Sequence, residues 1–260
     1  MLTPGQIAHF ETFGFLVLRQ LFTPDEVAIM SREAGEIFEE DRRDHPLAGT
    51  DTQDIVTFLE RKSYLSRLVD DDRVYNIGAD LLGPDFILHA TSGAQRVGDT
   101  PWHADMPLEN PLRSANVSFY TEPLTREAGC LRVIPGSHLS SSPDLLAPLR
   151  SSNPEPDFQP FGMSPSRLPC HAYQSDPGDV IVFTAKLLHA SFGSQVARHM
   201  HLVSFMGNPE TEAELAAIRA LYEISRWGLH PAQSYVDSDR PRVRRMVAKL
   251  VELGFETSKA

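Results

Sequence analysis

Between about residues 85 and 206, the chain consists of short segments of strand-forming residues, each bounded by Gly, Pro, Ser or Asp. Short strands at this spacing are typical of an antiparallel sandwich or open barrel, and they argue against alternating strand–helix units. The sequence predicts strands in five segments, which are 86–92, 114–121, 130–134, 180–184 and 199–205. The centre of the chain is therefore expected to be mainly β.

The parts of the chain on either side of this region have helical patterns. Thr3 and Thr23 each begin a capping box, and the second predicts a helix that runs to about residue 41. A short strand is predicted over 15–19, because Phe-Leu-Val-Leu is rich in strand formers. The pattern is helical again over 54–82 and after Pro209.

The length of 260 residues is compatible with one large domain. We expect a single domain over 1–260, with core strands at about 85–206, a helical N-terminal part over 1–84 and a helical tail over 209–260. The net charge of −11 argues against a nucleic-acid partner, which would require clustered Lys and Arg. We expect no membrane segment and no secretory signal, and the two cysteines favour a cytoplasmic location. No sequence feature indicates an oligomeric state.

A His-x-Asp pair lies at His103 and Asp105. On extended backbone, side chains two residues apart point to the same side, so both can reach one ion. A third ligand is expected from His189, which follows a Pro-Gly-Asp turn at 177–179 and a buried strand. Two imidazoles and one carboxylate form the facial set that holds ferrous iron and leaves other positions open. The sequence therefore predicts His103, Asp105 and His189 as metal ligands and catalytic residues.

Four other residues have a predicted role from their positions. Arg198 begins an alternating strand, where a guanidinium in a barrel mouth can form a two-pronged pair with a carboxylate. Trp102, Met106 and Arg132 lie near the ligands and are predicted to contact the substrate, together with the Ser- and Pro-rich segment 140–165.

Three sequence runs carry a resemblance to a known family. They are Trp-His-Ala-Asp at 102–105, Gly-Cys-Leu-Arg-Val-Ile-Pro-Gly-Ser-His at 129–138, and Pro-Gly-Asp-Val-Ile-Val-Phe at 177–183, which leads to His189 and Arg198. From about residue 10 to 206 the chain resembles the phytanoyl-CoA dioxygenase family, whose members are iron(II)- and 2-oxoglutarate-dependent oxygenases. The second run is much more specific than the His-x-Asp pair.

The resemblance implies a double-stranded β-helix, or jelly roll, with N-terminal and C-terminal helices and the three ligands at one open end. It also implies the cofactor set, which is Fe(II) with 2-oxoglutarate and O₂ as co-substrates. Arg198 would bind the far carboxylate of 2-oxoglutarate, and Ser191 would hydrogen-bond the same carboxylate. Halogenating relatives have a small residue at the position of Asp105, so its presence favours hydroxylation of an unactivated C–H, or desaturation, with release of succinate and CO₂.

Two alternatives from other functional classes stay open at this point. One is a non-catalytic jelly-roll binding protein that kept the fold. The other is a zinc-dependent hydrolase that uses the same three ligands, since zinc also takes three protein ligands and one water. The expected partner is a free small-molecule metabolite, because the sequence has no Lys/Arg cluster suited to the phosphates of an acyl-CoA.

Overall fold

Two β-sheets form the centre of the fold in the computed structural model, which describes residues 1–42, 52–141, 143–150, 158–224 and 230–258. The strands are β1 (Phe15–Leu18), β2 (Thr52–Val56), β3 (Phe86–Arg96), β4 (Thr100–His103), β5 (Ser114–Tyr120), β6 (Leu131–Val133), β7 (His171–Tyr173), β8 (Val180–Phe183), β9 (His189–Ser191) and β10 (Arg198–Gly207). The helices are α1 (Pro4–Phe13), α2 (Pro24–Arg42), α3 (Asp72–Leu82), α4 (Glu212–Ile224), α5 (Gln233–Val236) and α6 (Pro241–Glu252). Short 3-10 turns cover Leu59–Arg61, Leu65–Arg67, Ala147–Arg150, Pro160–Gly162 and Pro165–Arg167.

The strands form a six-stranded sheet in the order β1-β8-β5-β10-β3-β2 and a four-stranded sheet in the order β4-β9-β6-β7. Neighbouring strands in both sheets are antiparallel, and strands far apart in sequence, such as β1 and β8, lie side by side. This arrangement confirms the predicted fold class, a mainly β jelly-roll core with flanking helices. The five strands predicted within 85–206 correspond to β3, β5, β6, β8 and β10.

Side-chain capping sets the start of the first two helices. The Thr3 hydroxyl accepts from the Gln6 amide, while the Gln6 side chain accepts from the Thr3 amide at 2.8 Å. Thr23 and Glu26 form the same reciprocal pair before α2. These contacts satisfy amide groups that a helix leaves unpaired at its N-terminus, and they confirm both predicted capping boxes.

Residues 52–56 form a strand, so the helix predicted from residue 54 is wrong in its first part. Gln53 and Ile55 are buried, and the Arg96 guanidinium of β3 lies 2.6 Å from the Asp54 carboxylate. A distant sheet edge therefore provides the partner that overrides the local helical pattern. Within 54–82, α-helix is confined to α3.

One apolar cluster covers the face of the six-stranded sheet that carries Val117, Val203 and Phe205. Helices from both ends of the chain pack into it. The buried contributors are Met30, Ile37 and Phe38 from α2, Val74 and Ile77 from α3, and Val243, Met246 and Val247 from α6. The opposite face of this sheet is therefore free to form the interior of the jelly roll with the four-stranded sheet. Among the described residues, no helix combines the length and apolar character that crossing a membrane requires.

Candidate metal centre

The three predicted ligands meet at one end of the four-stranded sheet. His103 ends β4 and is paired in register with His189, the first residue of β9. Their rings lie 4.2 Å apart between centroids, and Oδ1 of Asp105 is 3.7 Å from Nε2 of each imidazole. One donor atom from each residue lies within 4.8 Å of the others, an arrangement that can hold a metal ion.

Backbone carbonyls fix the orientation of both imidazoles. Nδ1 of His103 lies 2.8 Å from the Pro101 carbonyl oxygen, and Nδ1 of His189 lies 2.9 Å from that of Leu187. Because a carbonyl can only accept, each Nδ1 carries the proton and each Nε2 presents a lone pair. Metal-bound histidines are typically oriented in this way.

Burial, together with the neighbouring imidazole of His189, lowers the pKa of His103 to about 4. His103 is therefore neutral at pH 7, as a metal ligand must be. Asp105 completes the set with a carboxylate whose side chain is 40% exposed, so the centre is open on one side. Two imidazole nitrogens and one carboxylate on a common face fit a divalent transition metal with positions left for small ligands.

Arg198 lies inside the jelly roll at the start of β10, where it is only 5% exposed. Its guanidinium donates to the Gly98 carbonyl at 2.7 Å and to the Thr100 hydroxyl at 2.8 Å. Burial lowers its pKa. Thr100 is paired in register with Ser191, so both predicted 2-oxoglutarate residues lie at one edge of the site. The Ser191 hydroxyl donates to the Gly129 carbonyl at 2.5 Å.

Trp102 and Arg132 lie on the other face of the four-stranded sheet, away from the ligands. Trp102 packs among Leu149, Leu168 and Phe192, and its indole N–H donates to the Pro165 carbonyl at 2.8 Å. This position follows from strand alternation, since His103 occupies the inner side.

Arg132 is paired with Ala190 in register, and Ala190 belongs to the same outer cluster as Trp102. The Arg132 guanidinium donates to the carbonyls of Ser166 and Arg126 at 2.6 and 2.8 Å. These contacts give both residues a structural role in seating the segment that precedes β7. Any substrate contact of Trp102 and Arg132 would therefore lie on the face of the sheet opposite to His103 and His189.

Met106, the third predicted substrate residue, remains close to the ligands. It is 2% exposed and packs with Ile87, Met206 and Tyr222, so it joins the sheet to α4 of the tail. The Tyr222 hydroxyl in turn donates to the His89 carbonyl at 3.1 Å. The tail therefore contributes to the wall beside Asp105.

Asn116 is a site residue that the sequence analysis did not identify. It lies on β5, and its side-chain amide donates to Oδ2 of Asp105 at 3.1 Å. The sequence does carry a signal for it. Along the fully buried β5, polar Ser114, Asn116 and Ser118 alternate with apolar residues, which marks a polar face directed into the jelly roll.

Comparison with known proteins identifies the family of this chain. The model of the phytanoyl-CoA dioxygenase (PhyH) family matches residues 10–200. The ectoine dioxygenase of Sphingopyxis alaskensis is 26% identical over 214 residues, which is 73% of this chain and 70% of that protein. Matches to ectoine dioxygenases from Bordetella and Streptomyces species span about half of those proteins.

Two solved structures illustrate the shared fold. EctD from S. alaskensis with 2-oxoglutarate and 5-hydroxyectoine is 24% identical, with a TM-score of 0.63 over 80% of this chain and 77% of that one. The non-heme alpha-ketoglutarate-dependent carbocyclase SnoK from nogalamycin biosynthesis is 19% identical, with a TM-score of 0.62 over 80% of this chain and 85% of that one.

The predicted 2-oxoglutarate agrees with the co-substrate named for these two structures. The predicted iron agrees with the Fe-bound structure of EctD from S. alaskensis and with the cluster of His103, Asp105 and His189. The family model covers most of the chain and includes all three of these residues. The family and the enzyme class expected from the sequence are thereby confirmed. The chain belongs to the phytanoyl-CoA dioxygenase family and is a dioxygenase.

Proposed function

We propose that this protein hydroxylates an unactivated C–H of a small-molecule metabolite in a reaction that depends on Fe(II), 2-oxoglutarate and O₂, with release of succinate and CO₂. The observation that carries the proposal is the cluster of His103, Asp105 and His189, whose donor atoms lie within 4.8 Å of one another. His103, Asp105 and His189 would hold the iron. When bound, iron supplies the oxidising chemistry with O₂ and 2-oxoglutarate, which the protein's own side chains cannot provide.

The surroundings of Arg198 support a carboxylate ligand. The guanidinium is buried, and its hydrogen-bond partners are a backbone carbonyl and a hydroxyl. No carboxylate of the described residues lies within 4.0 Å of it. A buried charge without a counter-ion is costly, so this position favours an anionic ligand. In the proposed reaction Arg198 binds the far carboxylate of 2-oxoglutarate and orients it, with Ser191 beside it.

The two alternatives from other classes have less support. A binding protein that had lost its chemistry would not need two imidazoles held with their Nε2 lone pairs toward one carboxylate. A zinc hydrolase would leave Arg198 without a task. Ectoine is the first substrate to test, because the curated relatives are ectoine dioxygenases. The broader class of substrate that we propose is a free small-molecule metabolite.

Loss of one ligand tests the metal site. We expect the wild-type protein to bind Fe(II) and 2-oxoglutarate without O₂, with a charge-transfer absorption band, and to release succinate when a screened metabolite is its substrate. His189→Ala should abolish the band and lower succinate release by at least about 100-fold, because the iron would lose one of its three protein ligands. His9→Ala, which removes an exposed imidazole from α1, should leave both unchanged. Zinc retained in place of iron, or wild-type protein without a band or turnover, would contradict the proposal.

A second substitution tests the co-substrate site separately. Arg198→Gln should raise the KM for 2-oxoglutarate by about 10- to 100-fold, since a charge-assisted hydrogen bond contributes about 1.5–3 kcal/mol. Its Fe(II) affinity should stay close to that of the wild type. Arg113→Gln is the matched control, because that guanidinium is 59% exposed and pairs with Glu11 at the surface. An unchanged KM in Arg198→Gln would exclude the assigned role.

A further inference from the structure

The two oxygens of the Asp105 carboxylate have different surroundings. Oδ1 faces Nε2 of both imidazoles at 3.7 Å, whereas Oδ2 accepts a hydrogen bond of 3.1 Å from the Asn116 side-chain amide. Asp105 lies in the loop after β4, and Asn116 lies on β5 of the other sheet. This contact therefore joins a metal ligand in one sheet to a rigid strand in the other.

Ser204 determines which end of the Asn116 amide faces the ligand. Its hydroxyl donates to Oδ1 of Asn116 at 2.7 Å, so the amide nitrogen is the end directed at Asp105. Asn116 and Ser204 are paired in register on β5 and β10, and both are buried, at 2% and 6% exposure. The orientation of the amide is thus fixed by a chain of two hydrogen bonds that begins in the middle of the six-stranded sheet.

We infer that Asn116 is a positioning residue for the metal centre, with Ser204 as its anchor. The inference rests on the proposed iron site. A carboxylate that is 40% exposed could rotate or offer both oxygens to a metal. Asn116 restrains it, because the hydrogen bond occupies Oδ2 and leaves Oδ1 as the oxygen that faces the imidazoles. One coordination position is thereby kept free for the co-substrates.

Ser118 shows that this contact is not a general property of the strand. It lies two residues after Asn116 on the same face of β5 and is equally buried, yet its hydroxyl has no hydrogen-bond partner among the described residues. Ser118 therefore serves as a matched control for a polar side chain at this depth.

The test measures Fe(II) affinity in the absence of O₂ and 2-oxoglutarate, by competition with a chromogenic chelator. Asn116→Leu keeps the branched shape of the side chain but removes the amide, and it should weaken Fe(II) binding by about 10- to 100-fold, as is typical of partners that orient a metal ligand. Ser204→Ala should weaken it by about 2- to 10-fold, because a neutral hydrogen bond contributes about 0.5–1.5 kcal/mol. Ser118→Ala should bind iron like the wild type.

Melting curves of the metal-free variants separate this role from a structural one. If Asn116→Leu melts too early for the titration, Ser204→Ala, which keeps Asn116, carries the test. Wild-type affinity in both variants, or equal losses in Ser118→Ala, would overturn the inference while leaving the iron site intact. If the wild-type protein itself does not bind Fe(II), the proposed function fails instead.

Discussion

Glu60 is an acidic side chain in a setting that favours its protonated form. Its carboxylate accepts a hydrogen bond from the Thr91 hydroxyl, which in turn accepts from the amides of Phe58 and Leu59. Burial raises the pKa of Glu60 to about 7. A carboxyl whose pKa is raised in the folded state stabilises it fully only below the pKa of the unfolded chain. That contribution is lost as the pH rises through about 7.

Glu60→Gln should remove this pH dependence, because the amide oxygen can still accept from Thr91 and carries no charge. The expected gain in the free energy of unfolding is about 1–3 kcal/mol at pH 8, and it should shrink toward zero at pH 5. Urea unfolding of the metal-free protein at the two pH values measures it. Glu39→Gln, at an exposed position of α2, should give no gain at either pH. A gain in Glu60→Gln that did not depend on pH would contradict the assigned pKa.

Local sequence predicts some residues of the site and not others. The i, i+2 spacing of His103 and Asp105 and the strand before His189 predict that the three side chains lie together. The structure brings them together, although Asp105 lies in the loop just after β4. Closeness in sequence alone places Trp102 near the ligands, whereas the alternation rule directs its side chain outward, where the structure has it. Asn116 depends on a contact between two sheets, and no local pattern specifies which strand lies opposite Asp105.

At the scale of the elements, β3 packs closely against the turn that follows β2. Gly93 lies in the middle of β3, paired with Ile55 of β2 and His201 of β10. The Phe58 ring covers it so closely that an added Cβ would lie 2.5 Å from the ring atoms. The absence of a side chain at Gly93 therefore lets the turn after β2 fold over the sheet.

Gly93→Ala should lower the free energy of unfolding by about 1–3 kcal/mol, because a methyl group forced into a packed region displaces its neighbours. Gly35→Ala is the opposite case. Gly35 lies within α2 with no atom within 4 Å of an added Cβ, so alanine should raise the free energy of unfolding by about 0.5–1 kcal/mol. Chemical denaturation of both variants checks the pair. Equal effects of the two substitutions would be inconsistent with the packing described.

The elements that the sequence predicted correctly are those with strong local signals. The capping boxes at Thr3 and Thr23 define α1 and α2, and the bounded apolar segments define β5 and β8. Local sequence does not predict β2, because its strand conformation depends on an edge of β3 that lies more than thirty residues away in sequence. Strand order in the two sheets likewise depends on pairing between remote segments, which single-sequence patterns do not specify.

At the scale of the whole molecule, the C-terminal tail is part of the main core although the family model ends at residue 200. Met246 of α6 is fully buried in the cluster that covers the six-stranded sheet. The Tyr235 hydroxyl donates to the Ser66 carbonyl at 3.1 Å, and Arg240 pairs with Asp70 at 2.6 Å. These contacts join the C-terminal tail to the segment that precedes α3.

Met246→Ala should therefore lower the free energy of unfolding by about 2–5 kcal/mol, as expected when a large apolar side chain is removed from a core. Val251→Ala on the same helix is the control, because Val251 is 43% exposed, and it should change stability by less than about 0.5 kcal/mol. Thermal and urea unfolding compare the two. Similar small effects in both variants would mean that α6 contributes little to the core.

β4 is four residues long, and its last two side chains point to opposite sides of the sheet: Trp102 toward the segment that ends at Leu168, and His103 toward Asp105 and His189. One peptide unit thus carries both an anchor for the outer segment and a ligand for the ion. A rearrangement of the outer segment that displaced the indole would therefore also move the neighbouring imidazole. A substitution on the outer face of the sheet would then change how tightly the protein retains iron.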